Sequence, residues 1–364
     1  MNSPCETSDL LVFSHLRWDL VFQRPQHLLS RHAKNRRVYY IEDPVLSKCR
    51  EAYLDIKISP DDVKIIVPII PKDTDEQTIN KSMRVMLDEL IQEGEIRNFT
   101  ALYYTPKALN YSRHLNPSVV LYDCMDDQAH YNEEELMKRS NVVFTNGLSL
   151  YEAKKYQHQN IYPLPSNVDY DHFSQARLSL IEPEDQINIA HPRIGFYGVI
   201  DGRFDFTLLK NMAELKPEFQ FIILGPVIGI NPESLPIKAN IHYLGKKEYH
   251  VLPLYLAGWD CTFIPYVIND STGLSNPTKT SEFLAAGKPV VSTSIADVIH
   301  PYADAKLVYI ADHPEHFIEC IEKAINESSY DPEWLERVDQ FLEGYSWDST
   351  FKQMAEFGSV KFYV

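Results

Sequence analysis

Short runs of β-branched and aromatic residues recur along this chain with helix-like segments between them, and that rhythm constrains the fold more than any single motif. DLLVFSH (9–15), RVYYIED (37–43), VKIIVPII (63–70), TALYYT (100–105), SVVLYD (118–123) and NVVFTN (141–146) are each too short and too continuously apolar for amphipathic helices. They are strands covered on both faces, as in a parallel sheet flanked by helices. Helical patterns fit between them at 25–34, 76–93 and from Leu148 onward. SQARLSLIEPEDQINIAH (174–191) is polar and patternless, and reads as a linker. The rhythm then restarts with RIGFYGVI, FQFIILGP, NIHYLG, DCTFIPY and PVVSTS. A chain of 364 residues exceeds what one core usually supports. The expected fold is therefore α/β, with two doubly wound, Rossmann-like parallel-sheet domains facing each other across a cleft. The predicted divisions are a first domain over 1–173, a linker over 174–191 and a second domain over 192–344. A terminal helix over 345–364, with Phe351, Met354 and Phe357 at helical spacing, is expected to pack on either domain.

Charge and cysteine content narrow the function classes. The formal charge of −16 argues against a nucleic-acid partner. Five scattered cysteines without a C-x-x-C pair argue against a disulfide framework or zinc site and predict a reducing, cytoplasmic setting. No 18-residue apolar run occurs, and MNSPCETSDLLVF lacks the basic start and apolar core of a signal peptide, so export is not expected. One stretch reverses the overall sign. Between His15 and Arg37, six basic residues (Arg17, Arg24, Arg31, Lys34, Arg36 and Arg37) accompany a single acid, Asp19. The stretch reads either as a solvated helix face or as a surface for anionic lipid or a phosphate-bearing acceptor, which would place the protein peripherally on the inner membrane face.

Neither G-x-G-x-x-G nor G-x-x-x-x-G-K-[ST] is present, which removes a nicotinamide-linked dehydrogenase and a P-loop enzyme. Instead, NPTKTSEFLAAGKPVV (276–291) concentrates an N-capping residue, a first-turn proline, a lysine and a glutamate at one helix entrance. Asn276 is the expected cap and Gly287 the expected stop. Lys279 and Glu282 lie one turn apart. They read either as an ordinary solvated i,i+3 pair or as a nucleotide site, with the lysine and helix N-terminus taking a phosphate and the glutamate accepting sugar hydroxyls.

Taken in order, these segments resemble nucleotide-sugar glycosyltransferases of the GT-B fold, in particular the retaining group called family 4 and its bacterial surface-polysaccharide members. RIGFYGVIDGRFD, FQFIILGP, NIHYLGKKEYHVLPLYLAGWDCTFIPY and NPTKTSEFLAAGKPVVST carry the resemblance in the second domain; LPSNVDYDHF (164–173) and WDLVFQRPQHLLSR carry it in the first. The resemblance implies a nucleoside-diphosphate sugar as donor and co-substrate, a glycan or lipid-linked acceptor, and neither cofactor nor metal. It further implies Arg203, Asn276, Pro277, Thr278 and Lys279 around the donor diphosphate, and Glu282 on the ribose. Gly273, Leu274 and Ser275 would form the donor-sugar loop, with Gly245 and Lys246 on the nucleobase side. The family's first glutamate is replaced by Leu274, and one of its two basic residues after the first donor-domain strand is missing, leaving Arg203. Arg203 reads as a phosphate ligand or as a surface partner of Asp201 or Asp205.

In the first domain, YDCMDD (Asp123, Asp126, Asp127) ends a strand, as does His15. Asp126, Asp127 and His15 are candidates for contact with reacting sugar or acceptor hydroxyls, or are plain loop residues; Arg17, Trp18 and Arg24 are expected on the acceptor side. Two other classes remain open: a sugar-nucleotide epimerase of the same architecture, and an inactive transferase serving as a binding partner in a glycan assembly complex.

Overall fold

The computed structural model describes residues 8–127, 133–179, 181–270, 272–328 and 332–358. Leu180 of the expected linker, Ser271, Cys5 and the end of the expected terminal helix (359–364) lie outside them. The chain divides into two compact units, one formed by residues 1–165 with 348–364 and the other by 166–347.

The first unit is built on nine strands: β1 (Asp9–Ser14), β2 (Val38–Glu42), β3 (Val45–Ser47), β4 (Tyr53–Ile58), β5 (Val63–Pro71), β6 (Phe99–Tyr103), β7 (Val119–Cys124), β8 (Val142–Thr145) and β9 (Ile161–Pro163). Their order is β3-β5-β2-β1-β6-β7-β8-β9, with β4 pairing antiparallel to β5 and every other pair parallel. β1, β2 and β6 to β8 bury nearly every residue, which is why they read as unbroken apolar runs. The edge strand β4 does not follow that rule. Its Tyr53, Ile56 and Ile58 are exposed, and it carries no apolar run that a sequence pattern could show. The helix Trp347–Gly358 closes over this unit: Phe357 stacks on Tyr162 at 4.1 Å and Phe351 meets His32 edge-on at 4.7 Å.

The second unit holds β10 (Arg193–Tyr197), β11 (Gln220–Leu224), β12 (Ile241–Gly245), β13 (Cys261–Ile264), β14 (Val290–Ser292) and β15 (Val308–Ile310), all parallel, in the order β12-β11-β10-β13-β14-β15. In sequence terms this is the doubly wound order 3-2-1-4-5-6. It puts a switch point between β10 and β13, the place where open α/β sheets bind their ligands at the carboxyl ends of the strands. In the first unit the same reversal falls between β1 and β6.

Residues 166–191 belong to the second unit rather than forming a free tether. Gln186 is fully buried, donating to the Tyr255 carbonyl and accepting from the Trp259 indole, while Arg177 donates to the Ala285 carbonyl and pairs with Asp339. Polar side chains that hydrogen-bond a neighbouring surface show no apolar period, so this covering segment looked like a linker.

Candidate functional site

In the second unit the candidate residues gather at the switch point. Tyr197 is the last residue of β10, and its hydroxyl donates to Glu282 Oε2 at 2.5 Å. Lys279 Nζ donates to the same oxygen at 2.8 Å and sits 4.7 Å above the Tyr197 ring. Glu282 is 4% exposed and Tyr197 equally so. Burial, and then the neighbouring Glu282 carboxylate, pushes the Tyr197 phenol well above its usual range, so it remains a donor. Glu282 Oε1 accepts no hydrogen bond among the described residues.

The surrounding strand-end loops pack closely around this cluster. At Gly225 (φ 141°), after β11, a Cβ would fall 1.7 Å from the Gly198 carbonyl oxygen after β10, so the two strand-end loops touch backbone to backbone. Arg203 follows in the β10 loop. It donates to both Asp201 oxygens at 2.7 to 3.1 Å and remains 41% exposed, so its surface pairing is realised while its guanidinium stays within reach of solvent. Asn269 caps the turn leading to Thr272–Leu274, where a Cβ on Gly273 would meet nothing within 4 Å and Ser275 is buried. Gly245 ends β12 at φ 72°, and Lys246 beside it lies 3.6 Å from Glu248.

The helix entrance differs from expectation. The helix spans Lys279–Ala285, its cap position is Thr278 with no side-chain capping bond, and Asn276 and Pro277 precede it. The Thr280 N–H is already taken by the Pro277 carbonyl. Seven residues form too short a helix to supply much dipole, so positive charge for an anion rests on Lys279 itself. Gly287, at φ 70°, ends it as expected.

In the first unit, His15 follows β1 and its Nδ1 is buried without a hydrogen-bond partner among the described residues. Burial lowers its pKa; Asp43 and Asp126, whose charges act on it most strongly, oppose that. Asp43 Oδ1 is likewise buried and has no partner among the described residues. Of the YDCMDD acids, Asp123 is locked to Arg24, and Asp127 accepts from Lys154 at 2.9 Å; Asp126 makes no ion pair among the described residues.

Residues 191–327, inside the second unit, match the family model described as glycosyl transferases group 1. The chain is 25% identical over 211 residues to the putative teichuronic acid biosynthesis glycosyltransferase TuaH of Bacillus subtilis (strain 168), a match covering 56% of this chain. It spans about half of that relative, 52% of its length. Among solved structures, sucrose-phosphate synthase from Thermosynechococcus elongatus superposes with a TM-score of 0.68 at 13% identity, covering 96% of this chain and 98% of that one. Anabaena HepE in complex with UDP and glucose gives 0.67 at 11% identity, over 96% and 99%. The E. coli trehalose-6-phosphate protein bound with UDP-2-fluoro glucose gives 0.69 at 7% identity, over 97% and 99%. The fold is GT-B.

Within this GT-B chain the expected residues separate into two sets. Lys279, Glu282, Arg203, Gly245, Lys246 and the Gly273-Leu274-Ser275 loop all follow or flank carboxyl strand ends of one sheet, and His15 and Asp126 do so in the other. Four of the six basic residues between His15 and Arg37 pair with acids among the described residues. Arg24 is 1% exposed and makes a two-pronged pair with Asp123, at 2.8 and 3.0 Å, so it cannot present itself to an acceptor. Arg17 is held by Glu42 and the Asp43 carbonyl, Arg31 by Asp348 and Arg37 by Asp9. Trp18 meets the Tyr40 ring edge-on at 5.0 Å and its backbone N–H donates to Glu42, which fixes the loop after β1. The four arginines looked unpaired because their acids lie far away in sequence. Tyr197 was missed altogether: nothing in RIGFYGVI distinguishes a strand-end tyrosine that reaches a helix from one that only packs. Among the described residues no helix is long and apolar enough to cross a membrane, and no group of three or more His, Cys, Asp or Glu has metal-ligand geometry.

Proposed function

We propose that this protein is a glycosyltransferase moving a sugar from a nucleoside-diphosphate donor to a glycan or lipid-linked acceptor in polysaccharide biosynthesis, with retention of anomeric configuration and without a metal. The observation that carries the proposal is the Tyr197–Glu282–Lys279 cluster at the switch point of a sheet whose sequence matches a glycosyltransferase family. Glu282 Oε1 is the acceptor for ribose hydroxyls. Lys279 and Arg203 meet the diphosphate.

In the reaction, the bond from the anomeric carbon to the β-phosphate oxygen breaks and the acceptor oxygen bonds that carbon from the same face. The acceptor proton passes to the departing phosphate oxygen. Negative charge grows on the leaving nucleoside diphosphate, where Lys279 and Arg203 stabilise it more in the transition state than in the ground state. His15 and Asp126 are assigned to sugar or acceptor hydroxyls in the first unit, and Asp127, anchored on Lys154, to holding that loop. Any contact with anionic membrane rests on the exposed Lys34 and Arg37, because Arg24 is buried against Asp123 and Arg17 and Arg31 are more deeply engaged by Glu42 and Asp348.

A thermal-shift screen against uridine, guanosine, adenosine and cytidine diphosphates and their sugars tests the reading. Uridine compounds come first, because two of the structural neighbours hold UDP or a UDP-sugar. The correct donor at 100 times its Kd adds about 2.7 kcal/mol of stability. Nucleoside diphosphate release that depends on a glycan acceptor completes the case. Stabilisation by none of them overturns the proposal; isomerised donor without acceptor would indicate an epimerase, and binding without turnover an inactive assembly partner.

A further inference from the structure

We propose that Tyr197 is a positioning residue: its hydroxyl keeps Glu282 oriented toward the ribose when Lys279 transfers from that carboxylate to the donor diphosphate. The inference rests on the donor-site reading above and adds a division of labour to it. Two donors, the Tyr197 hydroxyl at 2.5 Å and the Lys279 ammonium at 2.8 Å, converge on one oxygen of Glu282. They are not equivalent. Lys279 is a flexible side chain 14% exposed, with two further N–H donors, whereas Tyr197 is wedged among aromatic rings. Phe283 crosses it edge-on at 5.2 Å, Phe173 lies parallel at 6.2 Å and Trp259 packs at 6.3 Å. The lysine is free to change partners and the tyrosine is not.

A diphosphate arriving beside Lys279 offers more negative charge than one carboxylate. Once the ammonium moves to it, Glu282 would be a nearly buried carboxylate with no fixed donor if Tyr197 did not remain. With Tyr197 in place, Oε2 stays engaged and Oε1 keeps its aim. The Tyr197 ring under Lys279 contributes separately, as a face on which the ammonium rests at 4.7 Å. Tyr197→Phe keeps that face and removes only the hydroxyl.

The test compares nucleoside diphosphate with its 2′,3′-dideoxy analogue by calorimetry, in wild type, Tyr197→Phe and Glu282→Gln. Tyr197→Phe is expected to weaken the ribose form about tenfold and the dideoxy form less than twofold, an effect of the size set by one hydrogen bond to a charged group. The donor KM should rise in parallel while kcat at saturating donor stays within about twofold. Equal weakening of both forms would mean a merely structural tyrosine, and wild-type affinity for the ribose form would mean no role; either overturns the inference. Failure of the underlying reading looks different: wild type would not prefer ribose over dideoxyribose, or Glu282→Gln would leave that preference intact.

Discussion

Each unit of this protein sets a basic side chain against a carboxylate near the switch point of its sheet, and the two pairs have opposite characters. Arg24 and Asp123 are 1% and 0% exposed and bonded through two parallel N–H···O contacts, so both carboxylate oxygens are occupied. The Lys279 and Glu282 side chains are 14% and 5% exposed and share one contact, leaving one carboxylate oxygen and two ammonium hydrogens uncommitted. Burial alone does not separate them. Unused bonding capacity does: a saturated pair holds the fold, whereas an unsaturated one can take a ligand.

The largest expected effect falls on the saturated pair. Arg24→Met leaves Asp123 charged, buried and short of its partner, and should destabilise the protein by about 3–5 kcal/mol in urea unfolding. Lys279→Met should cost less than about 1 kcal/mol of stability, because Glu282 keeps the Tyr197 hydroxyl. Equal losses in the two variants would erase the distinction.

Turnover should show the reverse order. Lys279→Met removes the cation that meets the departing phosphate and should lower kcat with donor saturating by roughly 100-fold, or about 2.7 kcal/mol. Glu282→Gln weakens a charge-assisted bond to the ribose and should reduce donor affinity by about 1.5–3 kcal/mol, read by calorimetry. Near-normal kinetics in both variants, at unchanged stability, would make this an ordinary helix pair after all.

How much of this the sequence revealed follows from which forces it records. Strands such as β1, β6 and β10 are buried on both faces and announce themselves as apolar runs. The edge strand β4 and the partly exposed β3, β9 and β15 do not, because exposure breaks their apolar pattern, whereas the equally short β14 is fully buried and shows. Lys279 and Glu282 are legible as a pair because helix geometry fixes their spacing. Tyr197, 85 residues from Glu282, joins them only through the packing of a strand end on a helix, and Arg24 was misassigned because Asp123 is 99 residues away. Local periodicity carries no information about such contacts.

A smaller, pH-dependent effect concerns a buried base whose ring bonds an arginine rather than an acid. Burial, and then Arg36, holds the folded-state pKa of His32 well below 6.5. Below pH 6.5 the unfolded chain therefore binds a proton that the folded chain does not. Stability should be flat with respect to this group above that pH, then fall by at most about 1.4 kcal/mol per pH unit as acid is added, until the folded pKa is reached. His32→Leu should flatten this part of the profile, measured by urea midpoints between pH 7 and pH 5. An unchanged slope would show that other groups dominate it.

The smallest effect tests a pair that lies between the two extremes. Arg203 and Asp201 make good contacts, but their side chains are 41% and 23% exposed, so water competes for both charges. Such a pair is worth little to the fold, and Arg203→Gln should change stability by less than about 0.5 kcal/mol. If available bonding capacity is what marks a ligand site, the solvent-facing guanidinium should still turn toward an arriving diphosphate, exchanging one anion for another. The expected result is a three- to tenfold weakening of nucleoside diphosphate binding, an energy of about 0.7–1.4 kcal/mol, with little change for the uncharged nucleoside. Asp201→Asn should move the same measurement the other way, because it frees the arginine. Identical affinities in both variants would restrict the donor site to Lys279, Glu282 and Tyr197 and return Arg203 to the surface.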